Sequence, residues 1–403
     1  MQAGKRITIG ITGGIAAYKT TELVSSLVKA GSDVRVTMTS SACEFITPLT
    51  FEVLTGNTVH TDLFEREADG GVLHIELAQK TDLLVIVPAT ANIIGKTANG
   101  IADDLVSTLI MAATCPVLFC PAMNVNMYNN PIVQSNISKL KDMGYYFVEP
   151  AEGRLACGTT GRGRLADISA ILHSINQRLT PQDMVGLTVL VTAGPTREPL
   201  DPVRYLTNRS SGKMGYALAR MAALRGARVV LVSGPTHLEP PTPVETIQVE
   251  TAAEMHDAVI RYAHSADLII KAAAVSDYRP ESISTQKIKK QAENLVIPLQ
   301  KNPDILAELG RRKGQQQILV GFAAETHDLD RYARNKLSSK NLDLLVANDV
   351  TLPGAGFDCN TNIVRIFAAD GSVEALPQMD KNKVASEILH RTIKLLRTHR
   401  GGR

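Results

Sequence analysis

Short runs of β-branched residues alternate with segments of helical period along the whole chain, and the alternation occurs in two series. The first series predicts strands at 7–11, 34–38, 83–87, 117–120 and 145–148, with helices at 16–29, 71–79, 103–113 and 132–143. The second begins at Leu187. It predicts strands at 188–192, 228–232, 268–271, 318–322 and 344–347, and helices at 214–225, 252–264, 303–310 and 329–337. Segments 363–367 and 373–376 flank Asp370-Gly371 and read as a hairpin, and 381–396 reads as a closing helix. Near-continuous apolar strands must be covered on both faces, and parallel neighbours need a crossover of helical length. The pattern therefore predicts an α/β fold: two doubly wound, mostly parallel open-sheet domains. A short polar stretch, Leu179-Thr180-Pro181-Gln182-Asp183, separates the series, so the expected domains are 1–180 and 186–403. A chain of 403 residues is comfortable for two domains.

Composition narrows the function classes. A formal net charge of +3 gives no reason to invoke nucleic acid or a membrane surface. No apolar run approaches the ~20 residues of a membrane span, and the N-terminal apolar run stops at Gly13-Gly14, too soon for a secretory signal. A cytoplasmic protein is the expectation. The five cysteines, Cys43, Cys115, Cys120, Cys157 and Cys359, match no zinc spacing, and their odd number argues against a disulfide framework.

The unusual sequences sit where the strands end. Open parallel sheets bind ligands beyond the carboxyl ends of their strands. In the first half these ends carry Thr12-Gly13-Gly14, Thr39-Ser40, Pro88-Ala89-Thr90-Ala91-Asn92 and Pro121-Ala122-Met123-Asn124. In the second they carry Ala193-Gly194-Pro195-Thr196, Ser233-Gly234-Pro235-Thr236, Ala272-Ala273-Ala274 and Ala323-Ala324-Glu325-Thr326. Two sheets thus present two separate rims, and two sites are expected.

The glycines after the first strand suit either close approach of a phosphate to a helix N-terminus or a tight strand-to-helix turn. Their spacing is not G-x-G-x-x-G, and neither Gly95-Lys96-Thr97 nor Gly212-Lys213-Met214 completes a P-loop. The missing fingerprint disfavours an NAD-dependent oxidoreductase. Asn124 can orient a carboxylate through its amide or simply cap the next helix. His74 reads as a packing residue and Cys157 as a loop cysteine when each is taken alone.

Together, the glycine loop, the 88–92 segment and Pro121-Ala122-Met123-Asn124-Val125-Asn126-Met127-Tyr128 resemble the flavin-dependent cysteine decarboxylase family over essentially the whole first half. The resemblance implies a flavodoxin-like domain holding FMN through Gly13, Gly14, Thr39, Pro88, Ala89, Thr90, Ala91 and Met123. It implies His74 as the base for thiol oxidation, Asn124 as the carboxylate-binding residue and Cys157 as the proton donor of a reductive step. The implied chemistry answers a real difficulty. A cysteine carboxylate cannot simply lose CO2, because the resulting carbanion has nowhere to delocalise. Oxidising the thiol to a thioaldehyde provides the electron sink. Gly153, Gly158, Gly161 and Gly163 around Cys157 suggest a flexible lid. Thr12 replaces a serine common in relatives, and Tyr128 replaces a tryptophan. Some relatives of this domain are regulatory subunits; the presence of His74, Asn124 and Cys157 argues against that role.

In the second half, segment 191–215 is long and unusual. Ser210, Ser211 and Gly212 open a helix, Arg204 could hold a phosphate, and Asn208 adds an amide. This segment resembles the signature of phosphopantothenate–cysteine ligases, and the whole chain resembles the bifunctional decarboxylase/ligase family of bacterial coenzyme A biosynthesis. The resemblance implies a Rossmann-like ligase domain that activates a carboxylate with CTP as an acyl-cytidylate, which the cysteine amine then attacks. It implies nucleotide contacts from Lys271, Ala272, Ala273, Asp277, Lys287, Asn302, Pro303, Asp304, Ile305, Phe322, Lys336 and Lys340. Substrate contacts fall to Arg204, Asn208, Ser210 and Ser211. Asn208 and Lys287 are the implied catalytic residues, and Asp277 is the implied ligand of Mg2+. A homo-oligomer, in the family a dodecamer, is implied as well.

Overall fold

A computed structural model describes residues 4–64, 72–154, 158, 160–289, 295–325, 328–349 and 359–401. The chain separates into two compact units, Met1–Pro181 and Gln182–Arg403.

The first unit is built on a six-stranded parallel sheet. Its strands are β1 (Arg6–Ile11), β2 (Asp33–Met38), β3 (Val59–His60), β4 (Leu83–Ala89), β5 (Val117–Pro121) and β6 (Tyr146–Phe147), in the order β3-β2-β1-β4-β5-β6. The period of two along β4 divides the core. Leu83, Val85 and Val87 pack with Leu23, Leu27, Phe51 and Ile171 on one face. Leu84 and Ile86 pack with Ile93, Leu105, Leu109 and Leu140 on the other. Every residue of β4 is buried, as a central strand covered on both faces requires.

Several elements escaped the sequence reading because they are short. Helices Pro48–Thr55 and Ala91–Ala98 span eight residues each, too few for their period to stand out. The expected helix 16–29 is split: Ile15–Lys19 is 3-10 and Thr20–Lys29 is α. The twelve-residue helix Ile168–Leu179 was also missed, as was an antiparallel hairpin formed by β7 (Ala151–Arg154) and β8 (Thr160–Arg164).

The second unit repeats the same winding. The strands of its eight-stranded sheet, in chain order, are β9 (Thr188–Ala193), β12 (Arg228–Ser233), β13 (Glu245–Gln248), β14 (Leu268–Lys271), β17 (Ile318–Glu325), β18 (Leu344–Asp349), β19 (Thr361–Ala368) and β20 (Val373–Asp380). They lie in the order β13-β12-β9-β14-β17-β18-β19-β20. The sheet is parallel through β18, and the expected hairpin joins it antiparallel as β19 and β20. Two small ribbons were not anticipated: β10 (Arg197–Pro199) with β11 (Tyr205–Thr207), and β15 (Tyr278–Pro280) with β16 (Leu299–Lys301). The closing helix, Lys381–Gly401, packs on Lys213–Leu224 with Val384, Ile388 and Leu389 in a core shared with Leu218 and Met221.

Gln182 and Asp183, linker residues in the sequence reading, pack on the second unit. Gln182 Nε2 donates to the Leu224 carbonyl at 2.8 Å. Both carboxylate oxygens of Asp183 accept from the buried Arg225, at 2.8 and 2.6 Å.

Candidate functional sites

In each unit the strand order reverses between two neighbouring central strands, β1 and β4 in the first and β9 and β14 in the second. Crossovers leave such a pair in opposite directions and open a crevice at its carboxyl end.

In the first unit the two loops at this crevice are hydrogen-bonded to each other. Thr12 Oγ1 donates to the Pro88 carbonyl at 2.6 Å and accepts from the Thr90 N–H at 3.2 Å. Gly13 is required by a close approach, because a Cβ there would lie 2.4 Å from the Cβ of Ser41. Gly14 has no such restriction; its Cβ would meet Thr90 at an ordinary 3.7 Å. Thr39 and Thr90 cap the helices that follow them, accepting from the N–H groups of Ala42 at 3.2 Å and Ile93 at 3.4 Å. Pro88 and Ala89 end β4, and Ala91 begins the next helix. The residues named from sequence as flavin contacts thus gather at the ends of β1, β2, β4 and β5.

Asn124 caps Val125–Tyr128, with its Oδ1 accepting from Asn126 N–H at 2.8 Å. The β7–β8 hairpin lies against this segment. Met123 N–H donates to the Gly163 carbonyl at 2.9 Å, and a Cβ on Gly163 would meet the Met123 oxygen at 2.3 Å. Gly161 and Gly163 have φ of +152° and +147°. Both the positive φ values and the close backbone approach at Gly163 favour glycine. Cys157 lies outside the described residues. His74 is the second residue of helix Leu73–Lys80, and its Nδ1 is buried with no hydrogen-bond partner among the described residues. Tyr128 donates its hydroxyl to Glu149 Oε2 at 2.8 Å; burial and then that carboxylate push its pKa up to about 12, making it a structural tyrosine.

The second unit holds a cavity of about 610 Å3 at the carboxyl ends of β14, β17 and β18. Its walls gather most of the residues named from sequence: Asn208, Ser210 and Ser211 on one side, Lys271, Ala272, Ala273 and Asp277 after β14, Asn302, Pro303, Asp304 and Ile305 ahead of a helix, and Phe322, Lys336 and Lys340 opposite. Sequence reasoning missed Lys213, Lys301, Lys381, Asn348 and Asn362, which also line it. Lys213 stood inside the 191–215 signature; nothing local marked Lys381, which opens the closing helix. Six lysines thus face two carboxylates, Asp277 and Asp304, an environment suited to a polyanion.

The polar groups of the cavity are held by bonds. Asn208 Nδ2 donates to the carbonyls of Val275 at 3.0 Å and Ala274 at 3.3 Å. Asn302 Nδ2 donates to the Ser276 carbonyl at 2.8 Å while its Oδ1 accepts from Arg279 at 2.8 Å. Lys340 Nζ donates to Asp304 Oδ2 at 2.7 Å. Burial works to raise the Asp304 carboxyl, but the Lys340 bond, the Ala307 N–H and the lysine charges hold it below its ordinary range. Lys271 is buried at the end of β14. Burial, and then the like charge of Lys336, push its pKa down to about 8. Among the described residues no group of three or more His, Cys, Asp or Glu side chains is arranged to hold a metal ion.

Two sequence-named residues stand apart from the cavity. Arg204 is not among its lining residues; its guanidinium donates to Asp201 Oδ2 and to the Ile288 carbonyl. Lys287 is exposed and precedes that Ile288.

No described helix is long and apolar enough to cross a membrane. Residues 1–180 match the Flavoprotein family model, and residues 184–396 match the DNA/pantothenate metabolism flavoprotein C-terminal domain. The chain is 50% identical over 393 residues to the coenzyme A biosynthesis bifunctional protein CoaBC of Bacillus subtilis, covering 96% of this chain and 97% of the relative. It is 47% identical to the CoaBC protein of Vibrio cholerae, covering 96% and 98%, and 45% identical to that of Escherichia coli, covering 96% of each chain. With both family models matched in order and this identity sustained over nearly the full length, the chain belongs to the family of bifunctional coenzyme A biosynthesis proteins.

Proposed function

We propose that the second unit joins cysteine to 4'-phosphopantothenate with CTP and that the first unit decarboxylates the product to 4'-phosphopantetheine. The observation that carries this reading is the lysine-lined cavity at the end of β14, part of whose wall is the ligase signature at Asn208 and residues 210–215. A carboxylate resists attack by an amine until it is activated, and activation by a nucleoside triphosphate develops negative charge on phosphate oxygens. Lys213, Lys271, Lys301, Lys336, Lys340 and Lys381 supply the compensating charge. Asn208 offers its amide beside the acyl-cytidylate, and Ser210 and Ser211 line the wall where the acid enters. Asp277 is the one carboxylate of the wall free of the Lys340 pair. It suits a Mg2+ ion that takes most of its ligands from water and triphosphate, as Mg2+ commonly does. Lys287, which does not line the cavity, would act from the exposed segment that precedes Ile288.

At the first rim the residues fit FMN. The crevice between Thr12-Gly13-Gly14 and Pro88-Ala89-Thr90-Ala91 is a switch-point site, and the buried Nδ1 of His74, which has no partner among the described residues, suits a bound group. When bound, FMN supplies the hydride acceptor that makes the cysteine thiol an electron sink. His74 takes the thiol proton, the Asn124 amide orients the carboxylate, and Cys157 returns a proton. The substrates are small and water-soluble, which fits a cytoplasmic enzyme. A homo-oligomer, in the family a dodecamer, belongs to this reading; a subunit contact of some kind is supported by Phe45, Leu49 and Val53, which stand 49%, 64% and 76% exposed around one short helix.

The test is an assay with 4'-phosphopantothenate, cysteine and either CTP or ATP, following pyrophosphate and CO2 separately. Both products with CTP are expected. Pyrophosphate only with ATP would overturn the nucleotide assignment. A purified protein without bound flavin and without CO2 release would overturn the decarboxylase assignment.

A further inference from the structure

The buried carboxylate of Asp201 divides its two oxygens between two tasks. Oδ1 closes its own turn, accepting from the N–H groups of Val203 at 2.8 Å and Arg204 at 2.9 Å. Oδ2 reaches outward. It accepts from Arg204 Nε at 3.0 Å and Nη2 at 2.6 Å, and from the backbone N–H of Ile288 at 3.1 Å. Arg204 Nη2 also donates to the Ile288 carbonyl at 2.7 Å. One ion pair therefore holds both backbone polar groups of a single residue far along the chain. The Asp201 side chain is fully buried, whereas that of Arg204 is 42% exposed. A second tie lies nearby, where Ser284 N–H donates to the Leu200 carbonyl at 3.0 Å.

The residue held in this way directly follows Lys287. The segment carrying it leaves the cavity wall at Asp277-Tyr278 and returns at Lys301-Asn302, through the β15–β16 ribbon. The ribbon fixes the base of this excursion, while the Asp201–Arg204 pair fixes Ile288 within it. A backbone bound at both N–H and C=O has little freedom to displace its neighbour. We propose that Asp201 is a positioning residue for ligation: with Arg204 it fixes Ile288 and so sets where Lys287 is presented. This inference rests on the reading that Lys287 acts in ligation. It also gives Arg204 a different task from direct phosphate binding, since its fork already engages Asp201 and the Ile288 carbonyl.

The division between the oxygens supplies a selective variant. In Asp201→Asn the amide oxygen can still close the turn, while the NH2 group replaces Oδ2 and faces the donors of Arg204 and Ile288. The full-length protein is used, and a retained cooperative calorimetric transition of the second unit serves as the check of folding. Hydrogen exchange of segment 284–289 should accelerate about 10-fold or more. Ligation turnover should fall about 10- to 100-fold with the KM for CTP within about twofold. Arg204→Lys keeps the charge but not the fork, and should reproduce both effects. Unchanged exchange in Asp201→Asn, or ligation turnover within about twofold of the parent, would overturn the proposal. A rise in the KM for 4'-phosphopantothenate in Arg204→Lys without faster exchange would also overturn it, in favour of direct substrate contact. Lys287→Ala separates the two readings: full ligation activity in that variant removes Lys287 from the chemistry, whereas the exchange measurement still reports whether Asp201 holds its segment.

Discussion

Thr12 Oγ1 donates to the carbonyl oxygen of Pro88 at 2.6 Å, joining the loops after β1 and β4 across the crevice of the first sheet. The same oxygen accepts from Thr90 N–H. Replacing Thr12 by Val keeps the shape and deletes both bonds, leaving the Pro88 oxygen without its donor. The expected cost is about 1–3 kcal/mol in chemical denaturation of the first unit. Flavin retained per chain, read from visible absorbance, should fall. Thr12→Ser keeps the hydroxyl and should behave like the parent.

Gly163→Ala should damage decarboxylation alone. Its Cβ would lie 2.3 Å from the Met123 oxygen, at a φ of +147° that side chains disfavour. The hairpin must move off the segment carrying Asn124, at a backbone cost of about 1–3 kcal/mol. CO2 release should drop at least ~10-fold while pyrophosphate release is unchanged. Equal loss of both would contradict independent sites.

Asn208→Asp tests the opposite unit. The Asn208 amide donates to the carbonyls of Ala274 and Val275, and a carboxylate can only repel them. Ligation should fall by about 100-fold, from a displaced side chain and from added negative charge beside a phosphate site. Decarboxylation of supplied 4'-phospho-N-pantothenoylcysteine should persist at the parental rate.

Lys271 gives the ligase cavity a pH dependence. Its pKa is lowered to about 8 in the folded protein, while the unfolded chain titrates near the ordinary 10.5. Between those values the unfolded state binds the extra proton, so this lysine makes the fold more stable as pH rises from about 8 to 10.5. Below pH 8 it is charged in both states and the burial penalty is felt in full. Triphosphate binding runs the other way, because it needs the charged form. Calorimetric titration with CTP should show affinity declining above about pH 8, by up to about tenfold per unit. Lys271→Met should bind more weakly at pH 7 and flatten that decline.

Arg225 ties the start of the second unit to its closing helix. Its side chain is 4% exposed, forks onto Asp183, and donates to the Ser386 carbonyl at 3.2 Å. Arg225→Ala leaves that carbonyl and the Asp183 carboxylate without their partner. The carboxylate is 23% exposed, so the loss should fall at about 2–4 kcal/mol, near or below that for a fully buried pair. Scanning calorimetry should show the ligase-unit transition shifted down with the flavin-unit transition in place.

Much of the fold was legible because its strands are short, apolar and covered on both faces. Strands such as 188–192 and 268–271 carry that signal within themselves, and they lie where the sequence reading put them, extended by at most one residue. Some of the shortest elements were not legible. Val59–His60 pairs with β2 through only Val36 and Thr37, and Ala91–Ala98 offers barely two turns of helical period. The β7–β8 hairpin is rich in glycine and largely exposed, so it shows no alternation to read.

The sequence by itself determined that there are two mostly parallel sheets with two rims, and its resemblance to a family named about half of the residues that line the second. Burial of an apolar strand or helix face is a local property, and it leaves a local period. Tertiary structure alone decided which residues meet. It drew Lys213, Lys301 and Lys381 to the same cavity as Lys271, and it turned Arg204 toward Asp201 and Ile288. It also made Gly163 a point of close approach to Met123. Charge, hydrogen bonding and steric contact between distant segments leave no period in the chain, because they depend on strand order and loop path. Thr12 and Pro88 were both read as rim residues; that one holds the other was decided only when β1 and β4 came to lie side by side.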